Sequence, residues 1–328
     1  MTEHISFNGN NNVTTIFFQN SKGWKNLKLQ YTYKNGADTW TTVVDGISLG
    51  APVDTQGVYD IYKVVIPADA YEFTITDGDN KIFEIELDGL VQKDLYYVSG
   101  NTVKHRAYTG QYKTVYFQNN WKWTNVNLYY WYSDGSYDVP YSHKDANMTI
   151  DHNDGTYDIY KFNIPSNATG FNINGIKNDG SGKRDETPTI QVASVSEDYF
   201  YYMNYNNGNE VKLSPKVVYL VLDSTGYWKQ SKARFAVYFF NDTIGKNTWV
   251  NMVWDEAKQA YKCNVPDGQW EKMIFCRMNP NSSTNDWSNK WNQTGNLTIP
   301  SNGNNCGTIK ITNSGNWDGS TSVSWSKK

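Results

Sequence analysis

The chain has 328 residues, long enough for two or three compact units, and a formal net charge of -3 from 30 Lys+Arg against 33 Asp+Glu. The charges are interspersed rather than blocked, so the signature that a phosphate backbone requires is missing and nucleic acid is excluded as a partner. No run of about 18 apolar residues is present, so no membrane insertion is expected, and Met1-Thr2-Glu3-His4 has neither the basic start nor the apolar stretch of a secretory signal. Met1 is read as the start of an excised segment.

Aromatic content is the first anomaly. With 13 Trp, 25 Tyr and 13 Phe, rings make up 16% of a chain that is only 19% charged. Ring and β-branched side chains suit a pleated sheet, and Asn/Gly-rich stretches suit its turns. A mean hydropathy of -0.68 with this many rings implies that some of them face water.

In chain order, residues 16–36 read IFFQNSKGWKNLKLQYTYKNG, and 115–135 read VYFQNNWKWTNVNLYYWYSDG. Phe18, Gln19, Asn20, Trp24, Asn26, Leu29, Tyr31, Tyr33 and Gly36 return at constant spacing as Phe117, Gln118, Asn119, Trp123, Asn125, Leu128, Tyr130, Tyr132 and Gly135. One deletion later, GVYDIYKVVIP (57–67) returns as GTYDIYKFNIP (155–165), and Phe73 and Ile75 as Phe171 and Ile173. This is a duplication. From 217 the same skeleton runs in looser form: VVYLVL, Trp228, RFAVYFF, Trp249, AYKCNVP and MIFCRM. Alternating segments and turn signals such as Asn35-Gly36, Asp134-Gly135, Asp154-Gly155 and Asp267-Gly268 predict short strands and hairpins throughout. The expectation is an all-β chain of three tandem antiparallel β-sandwich (immunoglobulin-like) modules at 1–106, 107–214 and 215–328, joined by short linkers.

Period-2 logic sorts the second strand of each copy. Val126, Leu128, Tyr130 and Tyr132 share a core face, as do Leu27, Leu29, Tyr31 and Tyr33. The opposite face carries Asn127, Tyr129 and Trp131 in the second copy but Lys28, Gln30 and Thr32 in the first. Packing does not demand outward rings at 129 and 131. A pyranose explains them: its axial C–H groups stack on an aromatic face while Asn, Gln, Lys and Asp bond its hydroxyls. Packing under a neighbouring module is the alternative. Trp24, Trp123 and Trp228 recur in all copies, which favours core or loop-anchoring roles.

The stretch TVYFQNNWKWTNVNLYYWYSDG resembles the start of a family 26 carbohydrate-binding module, the starch-binding β-sandwich appended to bacterial amylases and found in gut-bacterial starch-adherence proteins. The resemblance covers most of 13–213. It implies non-catalytic binding of starch, amylose or amylopectin chains and maltooligosaccharides at a bacterial surface or in a secreted starch-degrading complex. The resemblance implies a platform of two outward rings on the second strand, matched by Tyr129 and Trp131, and a Trp after the next turn, matched by Trp40 in the first copy. The first copy departs by offering Gln30 and Thr32 in place of rings. The second lacks the later Trp, for which Tyr137 or Tyr141 would stand in. The third copy resembles a related module found beside bacterial amylases, implying Tyr238 and Trp249 as platform positions and Trp287 as a stacking ring on a late loop, with Trp291 its competitor.

Other chemistry is thin. Acid pairs such as Asp77/Asp79 and Asp151/Asp154 sit in turns where Asp is expected for geometry alone, so catalytic carboxylates are not expected. Asp151, Asn153, Asp154 and Asp158 outline a loose calcium loop but miss the EF-hand spacing; no cofactor is expected otherwise. Cys263, Cys276 and Cys306 are read as reduced and buried, with a Cys263–Cys276 pairing geometrically open. Two readings compete with glucan binding: a structural or protein-adhesive sandwich array, and a module of an all-β glycoside hydrolase.

Overall fold

A computed structural model describes residues 14–34, 39–43, 45–67, 70–78, 82–85, 90–99, 102–137, 147–205, 210–222, 226–311 and 321–328. Among these the chain is all-β, with only two short 3-10 helices, Val192–Ser194 and Tyr227–Lys232. No helix among the described residues is long and apolar enough to cross a membrane.

One pairing scheme occurs three times. The strand Thr14–Gln19 pairs antiparallel with Tyr59–Ile66 and parallel with Asp94–Ser99. Tyr112–Gln118 does the same with Asp158–Pro165 and Tyr199–Asn204, and Val217–Leu222 with Ala260–Asn264 and Cys306–Ile311. The all-β sandwich pairing is as expected, with one addition: a single parallel pair per copy makes these three sheets mixed, while the pairs in the facing sheets are antiparallel. Each first strand lies inside its sheet and accepts neighbours on both edges, so closure by the late strand has to run alongside it.

The second strand of each copy belongs to the facing sheet. Lys28–Lys34 pairs with Ala70–Thr76, Thr124–Trp131 with Gly170–Ile176, and Arg234–Asn241 with Lys272–Met278. Three clusters of buried side chains fill the space between facing sheets. Alternation places Val126, Leu128, Tyr130 and Tyr132 in one of them, all buried as predicted.

The equivalent row of the first copy is less regular. Leu27 and Leu29 are buried, but Tyr31 and Tyr33 are only half-buried, while Thr32 on the nominal outer face is 7% exposed. The register with Ala70–Thr76 shifts between Thr32 and Tyr33, and the Thr32 and Thr42 hydroxyls share a hydrogen bond of 3.0 Å. The irregularity falls at Tyr33, while Tyr31, ahead of it, still packs against the core.

The recurrent tryptophans anchor loops. The Asn20 carboxamide accepts from Trp24 N (2.9 Å) and donates to Trp24 O (2.8 Å), and Asn119 repeats both bonds on Trp123 at 2.8 Å. Each indole then stacks on the phenylalanine of its first or second strand, Phe18, Phe117 or Phe235. Cys263, Cys276 and Cys306 are buried and form no disulfide; burial pushes the Cys263 thiol up to about 12, so it stays protonated and inert.

Candidate functional site

The outer face of the third copy carries the densest arrangement of rings. Arg234–Asn241 points Phe235, Val237 and Phe239 into the core, leaving Arg234, Ala236, Tyr238 and Phe240 outside. Tyr238 lies directly across from Trp249 on the strand Lys246–Asn251, with ring centroids 4.9 Å apart at 52°. Trp287, from the loop 279–289, meets both rings at 4.8 Å, at 65° to Tyr238 and 66° to Trp249. Three residues far apart in sequence thus form one angled cluster. Trp287 is 47% exposed, and beneath the rings Ala236, Ile274, Cys276 and Met278 form a small apolar bed.

Arg234 holds the Trp287 loop. Its Nε donates to the carbonyls of Asn279 (3.2 Å) and Ser282 (2.6 Å), its Nη2 to the carbonyl of Thr284 (2.6 Å), and its Nη1 to the side chains of Asn251 (3.2 Å) and Asn285. Asp286 closes the same loop by accepting from Ser288 and from the Asn289 backbone and side chain, bonds that lower its pKa below the usual carboxylate range. Sequence reasoning missed Arg234. Its one signal is an arginine at the outer end of a strand otherwise apolar over six residues.

The competitor Trp291 has a different task. Arg277 lies with its guanidinium 4.7 Å from the Trp291 ring and donates to the carbonyls of Trp228 (3.0 Å) and Gln230 (2.6 Å) and to Asn292 (3.0 Å). Trp291 caps this buried arginine rather than joining the three rings.

In the second copy Tyr129 and Trp131 are half-buried on the outer face with centroids 5.6 Å apart at 35°, and Tyr137 lies 5.8 Å from Tyr129 at 50°. Tyr137 is 49% exposed. Tyr141 lies outside the described residues. Glycine decides how Trp131 lies: Gly170 is its cross-strand partner, and a Cβ there would sit 2.7 Å from the indole Cζ2. The indole rests on the bare backbone. Asn172, opposite Tyr129, donates to Glu186 (3.2 Å), while its buried carbonyl oxygen has no partner. Asn127, predicted outward, is buried by the bridge to Asn147.

The turn that carries Tyr137 is tied to the first copy. Tyr97 Oη donates to Asp134 (2.7 Å), and Asp134 also accepts from the Ser136 N–H (2.8 Å) and hydroxyl (2.6 Å). Burial raises the Asp134 pKa, but these bonds and the nearby Arg106 charge outweigh it and bring it to about 2. Arg106 lies between Tyr97 and Tyr132, 4.5 and 3.9 Å from their ring centroids.

Among its described residues the first copy shows no comparable ring cluster on this face. Gln30 is half-buried and Thr32 is occupied by Thr42. Trp40 pairs with Lys34 through its backbone, and its side chain lies outside the described residues.

The loose calcium loop is filled by protein donors. Asp154 accepts from Gln118 and from the N–H groups of Thr156 and Tyr157, Asp158 from Asn153, and Asp151 from Lys161 and His152. No group of three or more His, Cys, Asp or Glu among the described residues is arranged to hold a metal.

No family model matches the chain, and no curated protein matches it. Three solved structures resemble it weakly. The ligand-free PulA-G680L mutant from Klebsiella pneumoniae is 10% identical, with a TM-score of 0.21 over 85% of this chain and 30% of that one. Klebsiella pneumoniae pullulanase complexed with maltotriose is 12% identical, with a TM-score of 0.21 over 89% and 32%. The multi-modular glycogen-degrading pneumococcal virulence factor SpuA is 11% identical, with a TM-score of 0.17 over 83% and 37%. The chain spans about a third of the length of each, and at these scores the likenesses carry no weight in the functional reading.

Proposed function

We propose that this chain binds α-1,4-glucan without cleaving it, through aromatic platforms on the outer faces of sandwich modules at 1–106, 107–214 and 215–328. It would hold a bacterial surface or a secreted starch-degrading complex to starch. The observation that carries this reading is the cluster of Tyr238, Trp249 and Trp287, three rings within 4.9 Å of one another at 52–66°. Rings set at an angle suit the curve of an α-glucan better than the flat ribbon of a β-glucan. Lys290, with its Nζ 5.7 Å from the Trp287 ring, and the amide N–H of Asn251, whose oxygen is held by Arg234 and Asn285, are the nearby partners for hydroxyls.

Tyr129, Trp131 and Tyr137 form the second platform. Two weak platforms on one chain gain by effective concentration when they engage the same polysaccharide. Retention of the chain in an amylopectin-containing gel, and its loss on Tyr129→Ala, Trp131→Ala, Trp249→Ala and Trp287→Ala together, is the expected result. Calorimetry with maltoheptaose against cellohexaose tests the ligand: equal or stronger heat with cellohexaose overturns the α-glucan assignment.

A further inference from the structure

The second copy has another aromatic recess, at the opposite end of the strand Thr124–Trp131 from Trp131. Its cavity, about 400 Å³, is lined by Trp121, Trp123, Lys177, Asn178, Asp179, Asp185 and Tyr205. Five to seven residues of strand, roughly 20 Å at about 3.3 Å per residue, separate it from Tyr129 and Trp131.

Its ring pair is held in place yet open. Trp121 meets Tyr205 edge-on, centroids 4.5 Å apart at 87°, and the indole Nε1 donates to Met203 O (3.2 Å). Trp121 is nonetheless 47% exposed. Tyr205 donates its hydroxyl to Asp185, which Lys177 approaches at 3.3 Å. The fold does not require these rings: the duplicate first copy carries Lys22 at the place of Trp121, and its sequence has Gly100 at the position matching Tyr205.

The lining chemistry is specific about its ligand. An indole and a phenol ring give apolar faces, and with Lys177 paired to Asp185 the rim Asp179 leaves one net negative charge, which disfavours an anionic ligand. Asn178 and Asp179 are exposed at the rim, offering an amide and a carboxylate to bond hydroxyls. An apolar peptide side chain would leave those rim groups unused, whereas a pyranose uses both its C–H face and its hydroxyls. We propose that this recess is a second glucan-binding site on the second module, taking one or two glucose rings against Trp121 and Tyr205. This rests on the α-glucan reading and adds a site that can engage a second segment of polysaccharide.

The test is calorimetry with maltoheptaose on the full chain and on a platform-less variant, Tyr129→Ala, Trp131→Ala, Trp249→Ala and Trp287→Ala. The platform-less variant is expected to keep weak binding, which adding Trp121→Ala lowers by about tenfold or more, while Trp121→Phe keeps it within about threefold. Thermal melts of each variant establish that it is folded, which the exposure of Trp121 favours. If the unaltered chain binds and the folded platform-less variant does not, or if its residual binding ignores Trp121→Ala, the recess proposal falls and the platforms stand. If the platform-less variant binds as well as the unaltered chain and only Trp121→Ala weakens it, the platforms fall and the recess stands. If the unaltered chain does not bind, both fall.

Discussion

The first and second copies share a strand order, a loop anchor and a core pattern, yet their outer faces differ in a coordinated way. Trp131 lies across Gly170; the equivalent cross-strand pair in the first copy is Thr32 and Glu72. A ring at 131 and a missing side chain at 170 form one feature, because a flat indole needs the space a Cβ would fill. In the first copy that space is taken by a Thr32–Thr42 hydrogen bond and by a glutamate. On the proposed reading, a face becomes a platform through two changes on neighbouring strands.

The largest effect that sharpens this comparison is on stability. Tyr130 is fully buried and Tyr129, one residue away, is not, so Tyr130→Ala is expected to cost roughly 3–5 kcal/mol and Tyr129→Ala less than about 1 kcal/mol in urea unfolding. Equal costs would show that the two faces are not distinct.

Next comes the glycine. Gly170→Glu, the first-copy residue, is expected to displace Trp131 and weaken the second platform's affinity for maltoheptaose by about tenfold, in a Trp249→Ala/Trp287→Ala background. The reciprocal change, Gln30→Tyr with Thr32→Trp and Glu72→Gly, is expected to add measurable binding to the first copy, and Thr32→Trp alone is not. Binding from Thr32→Trp alone would break the pairing argument.

The third copy reaches its platform differently, through a clamped loop. Arg234→Gln leaves backbone carbonyls of the Trp287 loop without their donor and is expected to cost about 1–3 kcal/mol. It should also lower affinity at that site several-fold, in a Tyr129→Ala/Trp131→Ala background. Unchanged affinity would mean that Trp287 holds its place by ring packing alone.

The smallest effect is a pH dependence. Asp134 has its pKa lowered to about 2 in the folded chain from an ordinary value near 3.8, so its contribution is present above pH 4 and lost as pH falls towards 2. Acid titration followed by Tyr137-sensitive fluorescence is expected to show a transition in that window that Asp134→Asn removes and Tyr97→Phe moves to higher pH.

Much of this was legible in the chain itself. The duplication, the alternation of Leu128 and Tyr130 with Tyr129 and Trp131, and the recurring tryptophans follow from local spacing, because a strand's side-chain period is two and a loop anchor four residues long is set by near neighbours. Trp287 was separated from Trp291 only by resemblance, and Tyr137 from Tyr141 not at all. The partners that make Trp131 a platform, that hold Trp287 beside Trp249, and that face Trp121 with Tyr205 lie 39, 53 and 84 residues away in sequence. Periodicity says which side of a strand a residue faces; only the register between strands and the path of the loops decides what stands opposite it.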